Sequence, residues 1–421
     1  MYRRIASTRA PWAVLSLLLT VGCARSRDMA PAVSADDVAA QARGNTAFAL
    51  AVAARAPEGN LFFSPYSIST ALAMTYAGAR GQTATQMADA LHFVLPPDKL
   101  HPAFNAIDLA LASRAAIKDR DGQSVEAFKF SVANALWGDQ RLKIQPSFVD
   151  LVGTNYGAGL RTVDFGVPET ARATINGWVS DQTSKRIQNL IPEGILTPLT
   201  RLVLTNAVYF LAPWETPFSP KATADGPFTK ADNSPVTVPM MHRSGHMAYA
   251  EGDGWQAAEL PYRGGQVVCD VLLPAAGKFA AFEQALTADQ LGTMLGALGD
   301  HRVNLAMPRF KTTSSLGLNE VLKALGMKDA FDPDKADFSG INGAGSEADR
   351  LHISAVLHKA FVKLDEAGTE AAAATAVVMG VRSARGDRPV VMSVDRPFLF
   401  LIRDLPTGQI LFWGRIVDPS V

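Results

Sequence analysis

Residues 365–383 constrain the fold of this chain more than any other stretch, because they favour two incompatible structures. The stretch begins with an acidic pair, passes Gly368 and continues through four alanines at 371–374. Alanine favours helix, whereas the threonine and valines that follow favour strand. A segment of such small side chains can stand outside the protein in one state and lie between two strands in another. We therefore expect it to change its structure during function.

The composition predicts a large globular body without a strongly charged partner. Of 421 residues, 48% are hydrophobic and 19% are charged, which is typical of a folded chain with a sizeable core. Forty basic residues balance forty acidic residues. This balance argues against nucleic acid or an anionic surface as the main partner, although it leaves room for a local patch.

The N-terminus predicts export. Arginines near the start precede an apolar run too short to span a bilayer, as in a signal peptide. The run ends at Cys23 in a pattern that resembles a bacterial lipobox, whose cysteine carries lipid, although Thr20 stands where leucine is usual. We expect a signal peptide at 1–23, a tether at 24–37 and an outer-membrane or cell-surface lipoprotein. An ordinary secreted or periplasmic protein is the alternative.

Helical patterns dominate the first half of the chain and strand patterns the second, without a sustained βαβ alternation, which predicts an α+β fold. Helices are predicted at 38–56, 65–77, 83–91 with Thr83 as N-cap, 104–116, 146–156, 171–184, 287–298 and 316–325. Strands are predicted at 128–137, 161–165, 201–210, 303–310, 357–364, 398–403 and 410–417, with an antiparallel region at 226–274. Cys269, in an apolar run, is predicted to be a small buried side chain, and it has no disulfide partner if Cys23 carries lipid.

Several dispersed segments resemble the serpin family of serine protease inhibitors. They are NLFFSPYSI at 60–68, LTNAVYF at 204–210, VPMM at 238–241, the helix at 316–326, GTEAAA at 368–373, DRPFLF at 395–400 and GRIVDP at 414–419. The resemblance covers nearly all of a single predicted domain at 38–421. It implies eight or nine helices around three β-sheets, with an exposed reactive-centre loop. The stretch at 365–383 is similar to that loop in antithrombin-like members.

The resemblance implies an inhibitor that is consumed by its target. A serine protease cleaves the loop and forms an acyl-enzyme, and the freed loop then inserts as a new central strand of the largest sheet. The expected partner is one serine protease held covalently by a monomer, with no cofactor, no metal and no nucleic acid. Contact with a membrane is expected only through the lipid on Cys23.

The hinge of the loop follows from the same resemblance. It comprises Glu366, Gly368, Thr369, Glu370, Ala371, Ala372, Ala373, Ala374 and Thr375. In an inserted strand the odd-numbered residues 369–375 share one face, which the family places inward, whereas Glu370 faces solvent. A buried unpaired charge would be costly on the inward face. The small hinge residues favour an inhibitor over a non-inhibitory member such as a carrier.

The reactive bond is predicted by family spacing, in which cleavage follows the fourteenth residue after the hinge glycine. That residue is Arg382, so the bond is Arg382–Ser383. An arginine there suits the acidic specificity pocket of a trypsin-like protease. Arg385 and Arg388 are competing positions in the same segment.

Further positions carry over by match. At the loop-insertion point we expect Glu366 to pair with Arg309 near Trp214, although an ordinary surface pair is the simpler interpretation. A central polar cluster, whose hydrogen bonds rearrange as the sheet opens, is expected from Ser64, Ser67, Asn206 and His358. The chain departs from the family at 211–213, where Leu-Ala-Pro replaces the common lysine and glycine.

An enzyme is the main alternative class, and the sequence argues against it. Neither a Gly-x-Ser-x-Gly elbow nor a His-Glu-x-x-His helix is present, and these are the patterns of common hydrolases. His242 and His246 are four residues apart, but they fall in a predicted strand-and-turn region, where this spacing does not indicate a metal site. The sequence predicts an inhibitor, not a catalyst.

Overall fold

The structure, a computed structural model, describes residues 33–118, 123–157, 160–343, 350–369 and 388–421. The helices within these ranges are α1 (Ala35–Ala53), α2 (Pro65–Tyr76), α3 (Gly81–Ala90), α4 (Pro97–Arg114), α5 (Pro146–Tyr156), α6 (Pro168–Gln182), α7 (Phe279–Ala285), α8 (Ala288–Gly296), α9 (Asn319–Ala324) and α10 (Ser339–Asn342). The strands are β1 (Leu61–Phe63), β2 (Ala116–Lys118), β3 (Ser124–Glu126), β4 (Lys129–Asp139), β5 (Leu160–Val163), β6 (Leu202–Pro213), β7 (Ala224–Thr229), β8 (Pro235–Gly252), β9 (Trp255–Pro261), β10 (Val267–Pro274), β11 (Gly299–Pro308), β12 (Phe310–Gly317), β13 (Ile353–Asp365), β14 (Gly368–Thr369), β15 (Val390–Ser393), β16 (Phe398–Asp404) and β17 (Ile410–Ile416).

Two large sheets form the body of the protein. The nine-stranded sheet has the order β1-β17-β16-β10-β9-β8-β11-β15, with β7 paired to β8. The six-stranded sheet has the order β12-β13-β14-β6-β4-β5, and β13 also pairs directly with β6. A small sheet joins β2 and β3. The predicted α+β fold with three sheets is confirmed, and the described residues contain ten α-helices where eight or nine were expected.

An apolar core lies between the two large sheets. Every residue of β6 except Leu211 is buried, because this strand is covered on both faces, and a near-continuous apolar run is typical of such strands. Phe62 and Phe412 stack with ring centroids 4.8 Å apart, and Phe210 contacts Phe412 at 5.8 Å. The prediction that residues 201–210 form a buried central strand is confirmed.

Helix α6 covers part of the opposite face of the six-stranded sheet. Its buried residues pack against small side chains of β4 and β6 and against Leu357 of β13. Trp178 of α6 meets Trp137 of β4 edge-on at 5.5 Å, and the guanidinium of Arg161 lies 4.5 Å from the centroid of the Trp178 ring. Such a cation–π contact stabilises by roughly 0.5–1 kcal/mol at an exposed site. The helix therefore lies over strands on both sides of the β13–β6 contact.

Two local predictions from the sequence differ from the structure. The helix expected at 316–325 is present as α9, but it begins at Asn319, because Leu316 and Gly317 still pair with β13 at the end of β12. Thr83 is not an N-cap, since α3 begins at Gly81 with Arg80 before it. The hydroxyl of Thr83 is buried and instead accepts a hydrogen bond of 3.0 Å from the backbone N–H of Asp337.

Cys269 is buried in β10, as predicted, and burial raises the pKa of its thiol. Among the described helices none is long and apolar enough to cross a membrane. The described ranges also hold no group of three or more histidine, cysteine, aspartate or glutamate side chains placed to bind a metal ion.

Candidate functional site

The first residues of the predicted loop already belong to the six-stranded sheet. Gly368 and Thr369 form β14, which lies between β13 and β6. Thr369 pairs with Leu364 of β13 and with Ala212 of β6. Beyond β14, β13 and β6 pair directly as parallel strands, and we call this line of pairing the seam. Along most of the seam β13 and β6 are hydrogen-bonded directly, and at one end Gly368 and Thr369 separate them.

Trp214 holds the chain where it leaves β13. Its indole N–H donates to the carbonyl oxygen of Asp365 at 2.9 Å, and its backbone N–H donates to the carbonyl oxygen of Ala367 at 2.9 Å. The indole also stacks on Tyr262 with centroids 4.5 Å apart. Trp214 therefore lies at the insertion point and fixes the turn that leads into β14.

Glycine is the one residue type that fits position 368. Its φ of +151° is rarely adopted by residues with a side chain, and an added Cβ would lie 2.1 Å from the carbonyl oxygen of Ala212 and 2.7 Å from Cα of Pro213. The departure from the family pattern at 211–213 therefore contacts the hinge directly. Any side chain at 368 would force β14 and β6 apart.

Thr369 is the first loop side chain to enter the core. It is 1% exposed, and its hydroxyl lies 2.6 Å from the hydroxyl of Tyr262. Burial raises the pKa of Tyr262 well above its ordinary value, so this phenol is neutral and can satisfy one hydroxyl. It cannot compensate a charge, and a charged side chain at 369 would be buried without a partner.

Arg309 and Glu366 form an ion pair with the guanidinium and carboxylate 3.5 Å apart. The Arg309 side chain is 46% exposed, so the pair stabilises the protein by under about 1 kcal/mol. Glu366 is better held from the other side, where its carboxylate accepts a hydrogen bond of 2.8 Å from the hydroxyl of Thr223. The carboxylate thus ties the base of the loop to the chain preceding β7.

The residues of the predicted central polar cluster meet at the seam. His358 of β13 donates from Nδ1 to Oδ1 of Asn206 on β6, and the Asn206 amide donates to the Ser67 hydroxyl at 2.6 Å. The backbone N–H of Ser64 donates to Nε2 of His358 at 3.3 Å. Asn134 of β4 completes the cluster by accepting from the Ser67 hydroxyl at 2.9 Å. The hydrogen bond between His358 and Asn206 therefore crosses the seam.

His358 is neutral in this environment. Burial lowers its pKa to about 3, and its two ring nitrogens act as one donor and one acceptor. His101 of α4 is also buried, with Nδ1 2.7 Å from the hydroxyl of Tyr156, and burial lowers its pKa to about 4. Both imidazoles take up a proton far less readily in the folded than in the unfolded protein.

We expect the free energy of unfolding to fall as the pH drops below about 6.5, the ordinary pKa of histidine. The unfolded chain binds protons at His101 and His358 that the folded protein excludes until about pH 4 and 3, so acid favours unfolding. Each histidine contributes a slope of at most about 1.4 kcal/mol per pH unit. Urea unfolding of wild type and His101→Gln at pH 7, 6 and 5 measures this, and the variant should lose less stability on acidification. An unchanged slope would contradict the assignment to His101.

Several predicted site residues lie outside the described residues. They are Cys23, Glu370, Ala371, Ala372, Ala373, Ala374, Thr375, Arg382 and Ser383. The reactive bond, most of the hinge, the signal peptide and lipidation therefore stay predictions. The described part of the hinge consists of Glu366, Gly368 and Thr369.

Tyr262 and Asn134 are the site residues that sequence reasoning missed. Tyr262 follows β9 and comes from the nine-stranded sheet, so only the packing of the two sheets brings it to Thr369. Asn134 stands opposite Asn206 through the β4–β6 register. Neither contact has a local sequence signal, since both depend on pairing between distant segments.

Known proteins resemble this chain in sequence and in fold. A family profile described as serpin (serine protease inhibitor) matches residues 42–419. An uncharacterized serpin-like protein of Thermococcus kodakarensis is 40% identical over 363 residues, covering 86% of this chain and 81% of that protein. Mouse antithrombin-III is 39% identical over 369 residues, covering 86% and 77%. The crystal structure of human thyroxine-binding globulin complexed with thyroxine is similar with a TM-score of 0.79 at 28% identity, covering 91% and 100%.

Proposed function

The chain belongs to the serpin family, and we propose that it is an inhibitory member that traps a trypsin-like serine protease. The protease serine attacks the carbonyl carbon of Arg382, the peptide bond to Ser383 breaks, and the new amino terminus leaves with the C-terminal fragment. The chain up to Arg382 then remains joined to the protease as an ester. Insertion of this freed chain along the seam would carry the protease with it and distort its active site before the ester is hydrolysed.

The observation that carries the proposal is the position of β14. A loop whose first two residues already pair with both flanking strands needs no new nucleation to continue, since each further residue adds to an existing ladder. From the level of Thr369 towards Leu202 and Ile353, β6 and β13 each continue for about ten residues. Each residue of a strand adds about 3.3 Å of length. This length suits the chain between the hinge and the predicted reactive bond.

The energetics favour insertion once the loop is cut. A strand added at the seam exchanges hydrogen bonds with both neighbours, and each bond contributes about 0.5–1.5 kcal/mol net. The parallel contact between β13 and β6 would be replaced by two antiparallel contacts. The total gain is on the order of 10 kcal/mol, enough to make the step irreversible on the time scale of ester hydrolysis.

The central polar cluster opposes insertion before cleavage. Opening the seam must break the hydrogen bond from His358 to Asn206, and both side chains are buried, so each would transiently lack a partner. Leaving a buried polar group unsatisfied costs about 1–3 kcal/mol. This barrier keeps the seam closed in the uncut protein, whereas at one end β14 already lies between β13 and β6.

The proposal is tested by mixing the full chain with trypsin and, as a control, with trypsin whose active-site serine has been blocked. We expect an SDS-stable complex with active trypsin alone, together with release of a fragment at 383–421 identified by mass spectrometry. Loop cleavage without a stable complex would refute inhibition. Such a result would favour a binding role, as the name of thyroxine-binding globulin indicates for that relative.

A further inference from the structure

Three exposed lysines lie at one level on the outward face of the six-stranded sheet, next to the open end of the seam. Lys311 of β12 stands directly opposite Lys363 of β13. On the other side of the seam, Lys129 of β4 stands opposite Leu211 of β6. All three lysines are exposed. We call Lys129, Lys311 and Lys363 the lysine row.

The lysine row is electrostatically unfavourable as it stands. Like charges directly opposite each other on neighbouring strands destabilise a sheet, and Lys311 faces Lys363 in this way. Among the described residues, one carboxylate lies within ion-pair distance of the row, that of Asp365, 2.8 Å from the ammonium of Lys363. Three positive charges therefore share one negative charge.

The register of β14 assigns a level to the residue that follows it in an inserted strand. Thr369 lies between Leu364 and Ala212, so continuing both ladders by one residue reaches the level between Lys363 and Leu211. Successive side chains of a strand point to opposite faces. Since Thr369 points into the core, the next side chain points outward, to the face of the lysine row. The next residue in the sequence is Glu370.

We infer that the lysine row is the receiving site for the carboxylate of Glu370 when the loop inserts. The inference rests on the proposed function. Glu370 would be the direct cross-strand neighbour of Lys363, with Lys129 and Lys311 one strand further on either side. Opposite charges at such a position stabilise a sheet. Glu370 is therefore more than a solvated residue of the hinge, because it forms the first ion pair of the inserted strand.

The position of this pair gives it a kinetic role. It is the first contact formed after Thr369, so it acts while the acyl-enzyme is still partitioning between trapping and hydrolysis. A stronger first contact raises the share of protease that is trapped. The pair should therefore change the ratio of covalent complex to cleaved inhibitor, with little effect on recognition at Arg382.

A double-mutant cycle at positions 363 and 370 tests the inference. We expect Lys363→Glu, which places two carboxylates side by side, to lower the ratio of complex to cleaved inhibitor by about fivefold with trypsin. Adding Glu370→Gln to that variant should restore most of the loss, whereas Glu370→Gln in the wild-type background should lower the ratio by about twofold. None of these changes creates a new cleavage site for trypsin. The matched control is Lys143→Glu, an exposed lysine beyond the other end of β4, which should leave the ratio unchanged.

The cycle separates failure of the inference from failure of the proposed function. If wild type forms no SDS-stable complex, the proposed function is wrong, and the same cycle is then read from the rise in Tm on loop cleavage, which reports insertion alone. Opposite effects of Glu370→Gln in the wild-type and Lys363→Glu backgrounds support the inference. Effects of the two substitutions that simply add, in both the partition ratio and the rise in Tm, would overturn it.

Discussion

Replacing Thr369 by glutamate is expected to turn the inhibitor into a substrate. Thr369 is buried with its hydroxyl against Tyr262, and the phenol cannot neutralise a carboxylate. A buried charge without a partner costs about 3–5 kcal/mol, so the Thr369→Glu variant would expel β14 from the sheet of the uncut protein and would incur this cost when the cut loop inserts. We expect cleavage at the loop to continue while the yield of SDS-stable complex with trypsin falls by about a hundredfold or more.

Two matched variants control the Thr369→Glu experiment. Thr369→Ser keeps the hydroxyl that meets Tyr262, so it should inhibit nearly as well as wild type. Thr313→Glu adds the same charge to the exposed face of β12 and should also keep inhibition. Full inhibition by Thr369→Glu would show that insertion does not proceed through the position that β14 now occupies.

Replacing Arg382 by alanine should abolish rapid inhibition of trypsin. The acidic group in the specificity pocket of a trypsin-like protease would then be buried without its partner, at a cost of about 3–5 kcal/mol. We expect the association rate constant, measured by progress curves, to fall by about 100- to 1,000-fold. The uncut protein should keep its Tm, because the substitution acts on recognition.

Arg385→Ala and Arg388→Ala are the controls for Arg382→Ala, since these arginines compete for the same assignment. Each should change the association rate constant by less than about threefold, as expected for a charge outside the specificity pocket. A loss caused by Arg385→Ala instead would move the reactive bond to that position, and the mass of the released fragment would show it.

The sequence predicted elements well where a local pattern sufficed. The apolar run at 201–210 identified the buried strand β6 because a strand covered on both faces needs apolar residues throughout. The helix at 146–156 was placed correctly, since its start is marked by Pro146 at the first turn and its end by Gly157 in the left-handed conformation. Most of the edge strand β12 was not predicted, because its pairing with β13 is a long-range contact.

The predicted polar cluster was nearly complete, but its residue on β4, Asn134, was not predicted. Ser64, Ser67, Asn206 and His358 were carried over from the resemblance to the serpin family, and the structure joins them by hydrogen bonds. Asn134 joins them only because the β4–β6 register sets it opposite Asn206. A register is fixed by many contacts at once, and a one-residue shift would turn Asn134 to the other face.

The sequence alone determined that the hinge at 369–375 is small and uncharged at its odd-numbered positions, because these properties depend on residue type and spacing. Tertiary structure alone decided that Gly368 and Thr369 already lie in the sheet, that Tyr262 meets the threonine hydroxyl, and that Lys363 stands beside the next position. The pairing of β14 with β6 and the contact between Thr369 and Tyr262 join segments more than 100 residues apart. Only strand pairing within the six-stranded sheet and packing of the two sheets bring such segments together, and no local pattern encodes these contacts.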